Sequence, residues 1–272
     1  MVATYMLDCC LIGTKPCKYF QLNSPYFNNS KGIFSKLELD QLVPNKWRLH
    51  QVYDDGYTIP HKFPVFLKPE WGQNAGGIIK VSTREELVLA RKSIKSSRIS
   101  YLIQECASYA REFEIFFLAD YKDRTRPSVF SVTEVLNNRE ENPVNSIHNP
   151  DTHYVDVTSR FSEEQKQTLS GYIGQIGSFS ISRLSVRTAD IKSLLNGKFQ
   201  VIELNLFTPM PIHMLDPKYS YWDLWIMIRE YMMLLARLTK IRDKTLEEKP
   251  VFTKMTFYNR ENSLINFIRD RV

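Results

Sequence analysis

The sequence predicts an α+β protein in which antiparallel sheets pack against several helices. Two observations predict this class. Short apolar segments joined by polar, turn-like segments indicate antiparallel strands, and residues Tyr219–Lys240 carry apolar side chains at helical spacing. The chain has 272 residues, 43% of them hydrophobic, which is enough to bury the core of one large domain or of two small lobes. A disordered or fibrous protein is therefore excluded.

The charge of the chain says little about its partner. Lys and Arg exceed Asp and Glu by 36 to 30, a formal net charge of +6, which suits phosphate groups but also many ordinary proteins. The basic residues are dispersed, and the sequence has no RNA-binding motif that combines aromatic and basic residues. A nucleic-acid-binding module is therefore a minor alternative, and we expect no nucleic-acid partner.

The expected compartment is the cytoplasm. The first residues lack the basic segment and the long apolar stretch of a signal peptide. Charged residues interrupt Tyr219–Lys240, the most apolar helix candidate, so no membrane span is predicted. Reduced thiols are expected because neither a spaced disulfide framework nor a CxxC pair is formed by Cys9, Cys10, Cys17 and Cys106.

The first predicted unit, residues 36–110, follows a short N-terminal cap over residues 1–35 that is poorly patterned. A short helix over Lys36–Leu42 stops before Pro44, and Thr83 has the signature of a helix start. Apolar runs and alternating polarity predict strands over Phe63–Leu67, Ile78–Ser82 and Ile99–Gln104. The unit therefore contains a strand, a glycine loop, a strand and a helix in succession.

The second predicted unit, residues 111–245, precedes a charged C-terminal tail over residues 246–272. Asp120–Pro127 is polar and turn-like, so the strands on either side of it are expected to pair antiparallel. Asn137–Tyr154 is rich in Asn and Pro and indicates an exposed loop or flap. The predicted strands are Glu112–Ala119, Ser128–Leu136, Phe179–Val186 and Phe199–Asn205, and the predicted helices are Ser162–Ile176 and Tyr219–Lys240.

The last helix is expected to pack on the sheet through its apolar stripe. Met232 and Met233 would extend this stripe into the seam of a homodimer. The sequence leaves open whether such a dimer forms. The residues of the stripe are Tyr221, Leu224, Trp225, Ile228, Leu235 and Leu238.

A lysine and a glycine loop form the first chemical pattern. Lys68 closes an apolar strand and precedes Gly72, Gly76 and Gly77. Such a lysine can bind phosphate as a point charge, and glycines let backbone N–H groups approach phosphate oxygens. The alternative is a lysine with a buried stem and a solvated amine, followed by an ordinary hairpin turn. Taken alone, the residues favour that alternative.

A second pattern lies where two later strands meet a connector. Gln104-Glu105 ends one strand, and Glu112 begins the next. The backbone of such a connector can pair with the edge of adenine, and a neighbouring carboxylate can accept hydrogen bonds from ribose hydroxyls. Two exposed acids near a turn are the alternative, which these residues favour when taken alone.

A third pattern is a pair of oxygen donors. Glu203 and Asn205 lie on the same face of a predicted strand, because side chains alternate along a strand with period two. A carboxylate and an amide oxygen so placed can ligate Mg²⁺, which usually also takes phosphate oxygens and water. A polar strand face without a metal is the alternative.

These patterns occur in an order that resembles the ATP-grasp superfamily, and in particular the D-alanine–D-alanine ligase-like carboxylate–amine ligases. The segments that carry the resemblance, with the glycine loop after the first, are Pro64–Pro69, Leu102–Glu105, Glu112–Ile115 and Ile202–Asn205. The resemblance covers roughly residues 36–240. It implies an ATP-grasp fold in which two α+β lobes with antiparallel sheets clamp ATP and Mg²⁺, together with a reduced N-terminal domain.

The resemblance also implies which residues bind the nucleotide. Lys68 and, on a shorter match, Lys36 would bind phosphates, and Glu112 would bind the ribose. Glu203 and Asn205 would ligate Mg²⁺. The remaining nucleotide contacts would come from the loop of Gln73, Asn74, Ala75, Gly76 and Gly77 and from the hinge of Gln104, Glu105, Cys106 and Ala107.

A reaction is implied as well. In such ligases the γ-phosphoryl group of ATP passes to a carboxylate substrate, and an amine then attacks the acyl phosphate and releases phosphate. Arg183 would stabilise the oxyanion, with Arg187 as a second catalytic arginine. His213 lies in the stretch that contacts the second substrate, although a lone histidine is more often structural. The expected substrates are small-molecule or peptide carboxylates and amines.

One departure from the family pattern bears on activity. Ser185 stands where these ligases have an aspartate that binds Mg²⁺, and a neutral hydroxyl is a weaker ligand, so one of two ions would be weakened or lost. Asp190 would replace that aspartate only if the chain turns back, and a surface loop is favoured there. The leading function is an ATP-dependent carboxylate–amine ligase. The alternative is a catalytically impaired ATP-grasp protein that binds nucleotide as a sensor or scaffold.

Overall fold

The computed structural model describes residues 1–95, 99–241 and 247–256 and contains two antiparallel sheets, which confirms the predicted α+β class. The smaller sheet has the spatial order β1-β4-β2-β3 and is built from β1 (Gln51–Tyr53), β2 (Val65–Pro69), β3 (Ile79–Val81) and β4 (Tyr101–Glu105). The larger sheet has the order β7-β6-β5-β8-β9 and is built from β5 (Arg111–Ala119), β6 (Pro127–Leu136), β7 (His153–Asp156), β8 (Ile181–Thr188) and β9 (Phe199–Asn205).

Helices flank both sheets, and polar side chains define where most of them begin. The α-helices are α1 (Val2–Ile12), α2 (Lys36–Leu42), α3 (Arg84–Ile94), α4 (Glu163–Ile176), α5 (Ile191–Leu195) and α6 (Tyr221–Lys240). A backbone N–H of the first turn donates a hydrogen bond to the side chain of each capping residue, Ser35, Thr83, Ser162, Asp190 and Ser220. Within the described residues, no helix is both long and apolar enough to cross a membrane.

The predicted N-terminal cap contains a packed helix, α1, that the sequence patterns did not indicate. Tyr5 is buried in the core, whereas Leu7 and Leu11 on the same helix are exposed. Apolar side chains on both faces leave no amphipathic period to detect. An ion pair of 3.0 Å between Asp8 Oδ1 and Arg229 Nη1 attaches α1 to α6.

The long helix α6 is confirmed, but the stripe predicted to pack on the sheet is wrong in its first half. Tyr221 and Trp225 are 92% and 56% exposed, and the packed part of the helix begins near Ile228. Leu235 is buried as predicted. Met232 is also buried in the core, so it is not available for a dimer seam.

The main hydrophobic core lies on the larger sheet and includes side chains from α1, α4 and α6. Val251 and Met255 from the predicted tail are also buried there, whereas the tail residues 246 and 257–272 lie outside the described residues. A second, smaller cluster packs α3 on the smaller sheet and contains Val65, Leu67, Val81, Leu87, Ala90 and Ile103.

Residues 36–49 join the two sheets. Arg48 forms a parallel bridge with Val201 on β9, and Val201 N donates to Trp47 O at 2.8 Å. The Trp47 ring stacks on Phe199 with centroids 4.7 Å apart, and its Nε1 donates to Gly197 O at 2.8 Å. The segment before the smaller sheet is therefore fixed to the edge strand of the larger one, and the boundary at residues 110 and 111 stays a prediction.

We expect Trp47→Ala to lower the free energy of unfolding by about 3–5 kcal/mol, because it removes a fully buried aromatic ring and leaves a cavity. Chemical denaturation monitored by circular dichroism measures this change. Trp47→Phe, which keeps most of the packing and loses the Nε1 hydrogen bond, should cost distinctly less. Equal losses in the two variants would contradict the packing role.

Candidate active site

A cleft between the two sheets brings most of the predicted site residues together. It encloses a cavity of about 430 Å³. The predicted site residues that line it are Lys36, Lys68, Gln73, Asn74, Ala75, Gln104, Glu105, Ala107, Glu112, Arg183, Arg187, Glu203 and Asn205. Ser185 and Glu114 line it as well.

Strand register determines how the floor of the cleft is arranged. Glu114 on β5 lies opposite Ser185 on β8, which in turn lies opposite Glu203 on β9. Glu112 lies opposite Arg187 in the next row. Because alternate side chains share a face, these polar groups all point into the cleft.

Glu203 is held between positive charges from the other side of the cleft. Lys36 Nζ lies 3.1 Å from Glu203 Oε1, and Asn205 Nδ2 donates to Glu203 Oε2 at 3.0 Å. Burial alone would raise the pKa of Glu203, but Lys36 and Lys68 outweigh it and lower the pKa to about 2. Glu203 is therefore ionised at neutral pH.

The side chain of Lys68 is 5% exposed, and its amine lies at a bulge in β9. The register between β8 and β9 shifts after Ser185, so Ile202 has no opposite residue in β8. Its carbonyl oxygen instead accepts from Lys68 Nζ at 3.3 Å and from Gln104 Nε2 at 3.1 Å. Burial and the nearby Lys36 lower the pKa of Lys68 to about 8, against the opposing effect of Glu203.

The glycine loop is only partly at the cleft. Gln73, Asn74 and Ala75 line the cavity, and the last two have positive φ angles of 52° and 56°. Gly76 and Gly77 do not line it. A Cβ at Gly77 would lie 3.0 Å from Tyr101 Oη and the backbone there has a φ of 76°, so this glycine serves the turn.

The predicted hinge is divided between two cavities. Gln104, Glu105 and Ala107 line the main cavity, whereas Cys106 lines a neighbouring one that shares Glu105 and Ala107. Burial raises the pKa of the Cys106 thiol. All four cysteines are free thiols, as the sequence predicts.

Arg187 holds the predicted flap over the cleft. Its Nη2 donates to Glu112 Oε2 at 3.0 Å and to Pro143 O at 3.1 Å, and its Nη1 donates to Asn142 Oδ1 at 3.2 Å. Asn145 Nδ2 also donates to Glu112 Oε2, at 3.0 Å. Burial raises the pKa of Glu112, although Arg187 opposes this. Arg187 therefore positions Glu112 and the flap.

Arg183 and Ser185 both contact Glu114, a residue that the sequence patterns left without a role. Arg183 Nε lies 3.3 Å from Glu114 Oε2, and Ser185 Oγ donates to Glu114 Oε1 at 2.7 Å. Burial raises the pKa of Glu114 to about 7, despite the opposing charge of Arg183. The alternation of Glu112 and Glu114 along one strand was the signal that could have identified it.

Two weaker candidates lie away from the cavity. His213 is buried with Nδ1 2.8 Å from Ser131 Oγ, and burial lowers its pKa. It does not line the cavity, although Ile212 and Leu215 do. Asp190 caps α5 by accepting from Ser193 N at 2.6 Å, and its exposed position makes it no substitute for a metal ligand at Ser185.

The donors of the cleft fit a magnesium nucleotide. Two lysines offer charge to phosphates, and Glu203 and Asn205 offer oxygen ligands next to them. Among the described residues, no three His, Cys, Asp or Glu side chains converge closely enough to hold a metal ion by themselves. Phosphate oxygens and water would therefore complete the coordination shell of an ion here, which is the usual mode for Mg²⁺.

Comparison with known proteins identifies the fold. No protein-family model matches the sequence, and no curated protein matches it. Among solved structures, the D-Ala:D-Ser ligase VanG from Enterococcus faecalis is 15% identical, with a TM-score of 0.52 over 79% of this chain and 70% of the ligase. An L-amino acid ligase from Bacillus licheniformis is also 15% identical, with a TM-score of 0.46 over 76% of this chain. The chain spans 47% of that second protein.

Replacing Arg187 tests its positioning role. We expect Arg187→Gln to lower the free energy of unfolding by about 3–5 kcal/mol, because it leaves the buried Glu112 carboxylate without its charge partner. Urea unfolding measures the loss. Arg126→Gln is the control, since its ion pair with Asp123 is exposed on both sides and should cost distinctly less. A small effect at Arg187 would contradict the assignment.

Asp40, beside Lys36 and Lys68, allows a test by pH. Burial raises the pKa of Asp40 to about 6, above its usual value of about 4. The buried neutral carboxyl of Asp40 thus makes its full contribution to the free energy of unfolding below pH 4, and this contribution is lost as the pH rises through 6. Asp40→Asn should raise the free energy of unfolding by about 1 kcal/mol at pH 8, since solvent screens this half-buried group, and change it little at pH 4. Thermal unfolding at both pH values measures the difference, and an equal effect at both would contradict it.

Proposed function

We propose, from the ATP-grasp fold of this chain, that it binds Mg-ATP in the cleft and joins a carboxylate to an amine. The observation that carries the proposal is the convergence of Lys36, Lys68, Glu203 and Asn205 on one cavity. Cationic and oxygen donors in this combination match a nucleotide phosphate chain with a divalent cation. The solved protein with a TM-score of 0.52 is named as a D-Ala:D-Ser ligase, which agrees with this chemistry.

Nucleotide binding would divide between the sheets. Lys36 and Lys68 would bind phosphates, with Gln73–Ala75 closing over them, and Gln104–Ala107 would face the adenine. Glu112 would accept from the ribose, because Arg187 and Asn145 already fix its carboxylate at the cavity. Mg²⁺, held by Glu203 and Asn205, would supply positive charge that offsets the charge of the phosphates.

The proposed reaction has two steps. A carboxylate oxygen of the acid substrate attacks the γ-phosphorus, the bond to the β-phosphate bridging oxygen breaks, and ADP leaves. The amine nitrogen then attacks the acyl carbon, phosphate leaves, and the nitrogen loses a proton. Arg183 borders the cavity and would stabilise the oxyanion that forms in the second step.

The cavity wall suggests substrates with an apolar part. Beside the charged floor, the lining includes Tyr154, Val144, Ile147, Met210 and Leu215. Apolar side chains favour apolar substituents, and Arg183 can pair with a carboxylate. We infer amino acids or short peptides with apolar side chains as the first compounds to test.

A nucleotide-binding protein without ligase activity is the second candidate. Ser185 favours it, because its hydroxyl is engaged with Glu114 and offers no negative charge to a cation. A sensor or scaffold would bind ATP but release no phosphate with any acid and amine.

Calorimetric titration with ATP tests nucleotide binding. We expect saturable binding that Mg²⁺ strengthens and that Lys68→Ala weakens by at least about tenfold, since a charge-assisted contact of about 1.5–3 kcal/mol is lost. Lys166→Ala is the control, because Lys166 pairs with Glu163 on the surface of α4. No binding by the wild type would contradict both candidate functions.

Phosphate release separates the two candidates. With acid and amine pairs supplied, ADP and phosphate should appear together with an amide product. Glu203→Gln should abolish this turnover while weakening nucleotide binding less, because the lysines remain. If the wild type binds ATP and no pair releases phosphate, the sensor or scaffold is supported instead.

A further inference from the structure

A row of three side chains crosses the floor of the cleft. Glu114, Ser185 and Glu203 are directly opposite one another on β5, β8 and β9. We propose that Glu114 supplies the carboxylate ligand that Ser185 lacks, so that a divalent cation binds between Glu114 and Glu203. This inference rests on the proposed function, because nucleotide phosphates would complete the shell of the ion.

Strand geometry makes room for an ion in this row. Adjacent strands lie about 4.8 Å apart, so the strands of Glu114 and Glu203 are separated by about 10 Å. Glu114, Ser185 and Glu203 all line the same cavity, and serine is a short side chain at the middle position. A larger side chain at the middle position would occupy more of that cavity.

One oxygen of the Glu114 carboxylate is buried without a hydrogen-bond donor among the described residues. Glu114 is 8% exposed and lines the cavity, yet its Oε2 forms no hydrogen bond with any described residue. Arg183 Nε lies 3.3 Å away without hydrogen-bond geometry and is itself unpartnered within the same described residues. A buried carboxylate oxygen without a donor is costly, and a cation would remove that cost.

The neighbouring carboxylate provides a contrast. Glu112 Oε2 accepts from both Arg187 and Asn145, so its charge is already satisfied by the protein. Glu114 receives one hydrogen bond, from the neutral hydroxyl of Ser185, on its other oxygen, and its ion pair with Arg183 lacks hydrogen-bond geometry. Of the two acids on this face of β5, Glu114 is therefore the one prepared for an external cation.

Ser185 has a role in this arrangement. Its hydroxyl donates to Glu114 Oε1 at 2.7 Å, which orients the carboxylate, while Oε2 keeps no hydrogen-bond donor among the described residues. The ligand carboxylate would thus stand on β5 and not on β8, where the pattern that the sequence resembles has it, and the serine would orient it. In this proposal, Ser185 and Glu114 are two parts of one cation site.

The test is binding of Mn²⁺, measured by electron paramagnetic resonance with a non-hydrolysable ATP analogue present. Glu114→Gln keeps the shape of the side chain and removes its charge. We expect it to weaken Mn²⁺ binding by at least about tenfold, while affinity for the analogue without metal stays unchanged. Glu134→Gln is the matched control, a buried acid on β6 that lies opposite Phe113 and faces away from the cleft.

A second variant separates ligand loss from misfolding. In the background of Glu114→Gln, the change Ser185→Asp returns a carboxylate to the same row, and Mn²⁺ affinity should recover. Mn²⁺ affinity unchanged by Glu114→Gln, or equally lowered by Glu134→Gln, would overturn the proposal. Failure of the wild type to bind the analogue would overturn the nucleotide site itself, whereas analogue binding without any Mn²⁺ would overturn the cation site alone.

Discussion

Buried charge in the cleft is the constraint on which the rest of the structure depends. Glu203 stands on the larger sheet, and the two lysines that keep it ionised, Lys36 and Lys68, come from α2 and β2. In a poorly solvated cleft such opposite charges must stay close, because an unpaired buried ion is strongly destabilising. The relative position of the two sheets is therefore tied to the same charges that we assign to nucleotide binding.

A β-bulge reinforces this arrangement. At Ile202 the chain of β9 leaves the ladder with β8, and its free carbonyl is bound from the smaller sheet by Lys68 and Gln104. One irregular residue thus connects Lys68, Gln104 and β9, the strand that carries the proposed magnesium ligands. On the other side, Arg187 connects β8, β5 and the flap in the same way. The first connection uses a backbone carbonyl that a regular sheet would have satisfied internally, whereas the second uses the side chain of Arg187.

The distinction between an enzyme and a binding protein lies in a few groups on one sheet face. Lysines and a hinge suffice to hold a nucleotide, whereas phosphoryl transfer also needs positive charge where negative charge develops in the transition state. Taken alone, the serine at position 185 weakens the binding of the cation that would supply this positive charge. With Glu114 in register beside it, the face still carries a carboxylate next to position 185, and this is why we favour the ligase.

The sequence by itself predicted seven of the nine strands that the described residues form, all but β1 and β7, together with α2, α3, α4, α6 and the order of the motifs, because alternation and capping are local signals. It placed Lys68 at the end of a strand and Glu203 with Asn205 on one face, as the structure has them. Only the tertiary structure decided which strands are neighbours, and therefore that Glu114 faces Ser185 and that Arg187 holds the flap. It also revealed α1, turned His213 towards Ser131 and left Gly77 in the turn, since these outcomes depend on contacts between residues far apart in the chain.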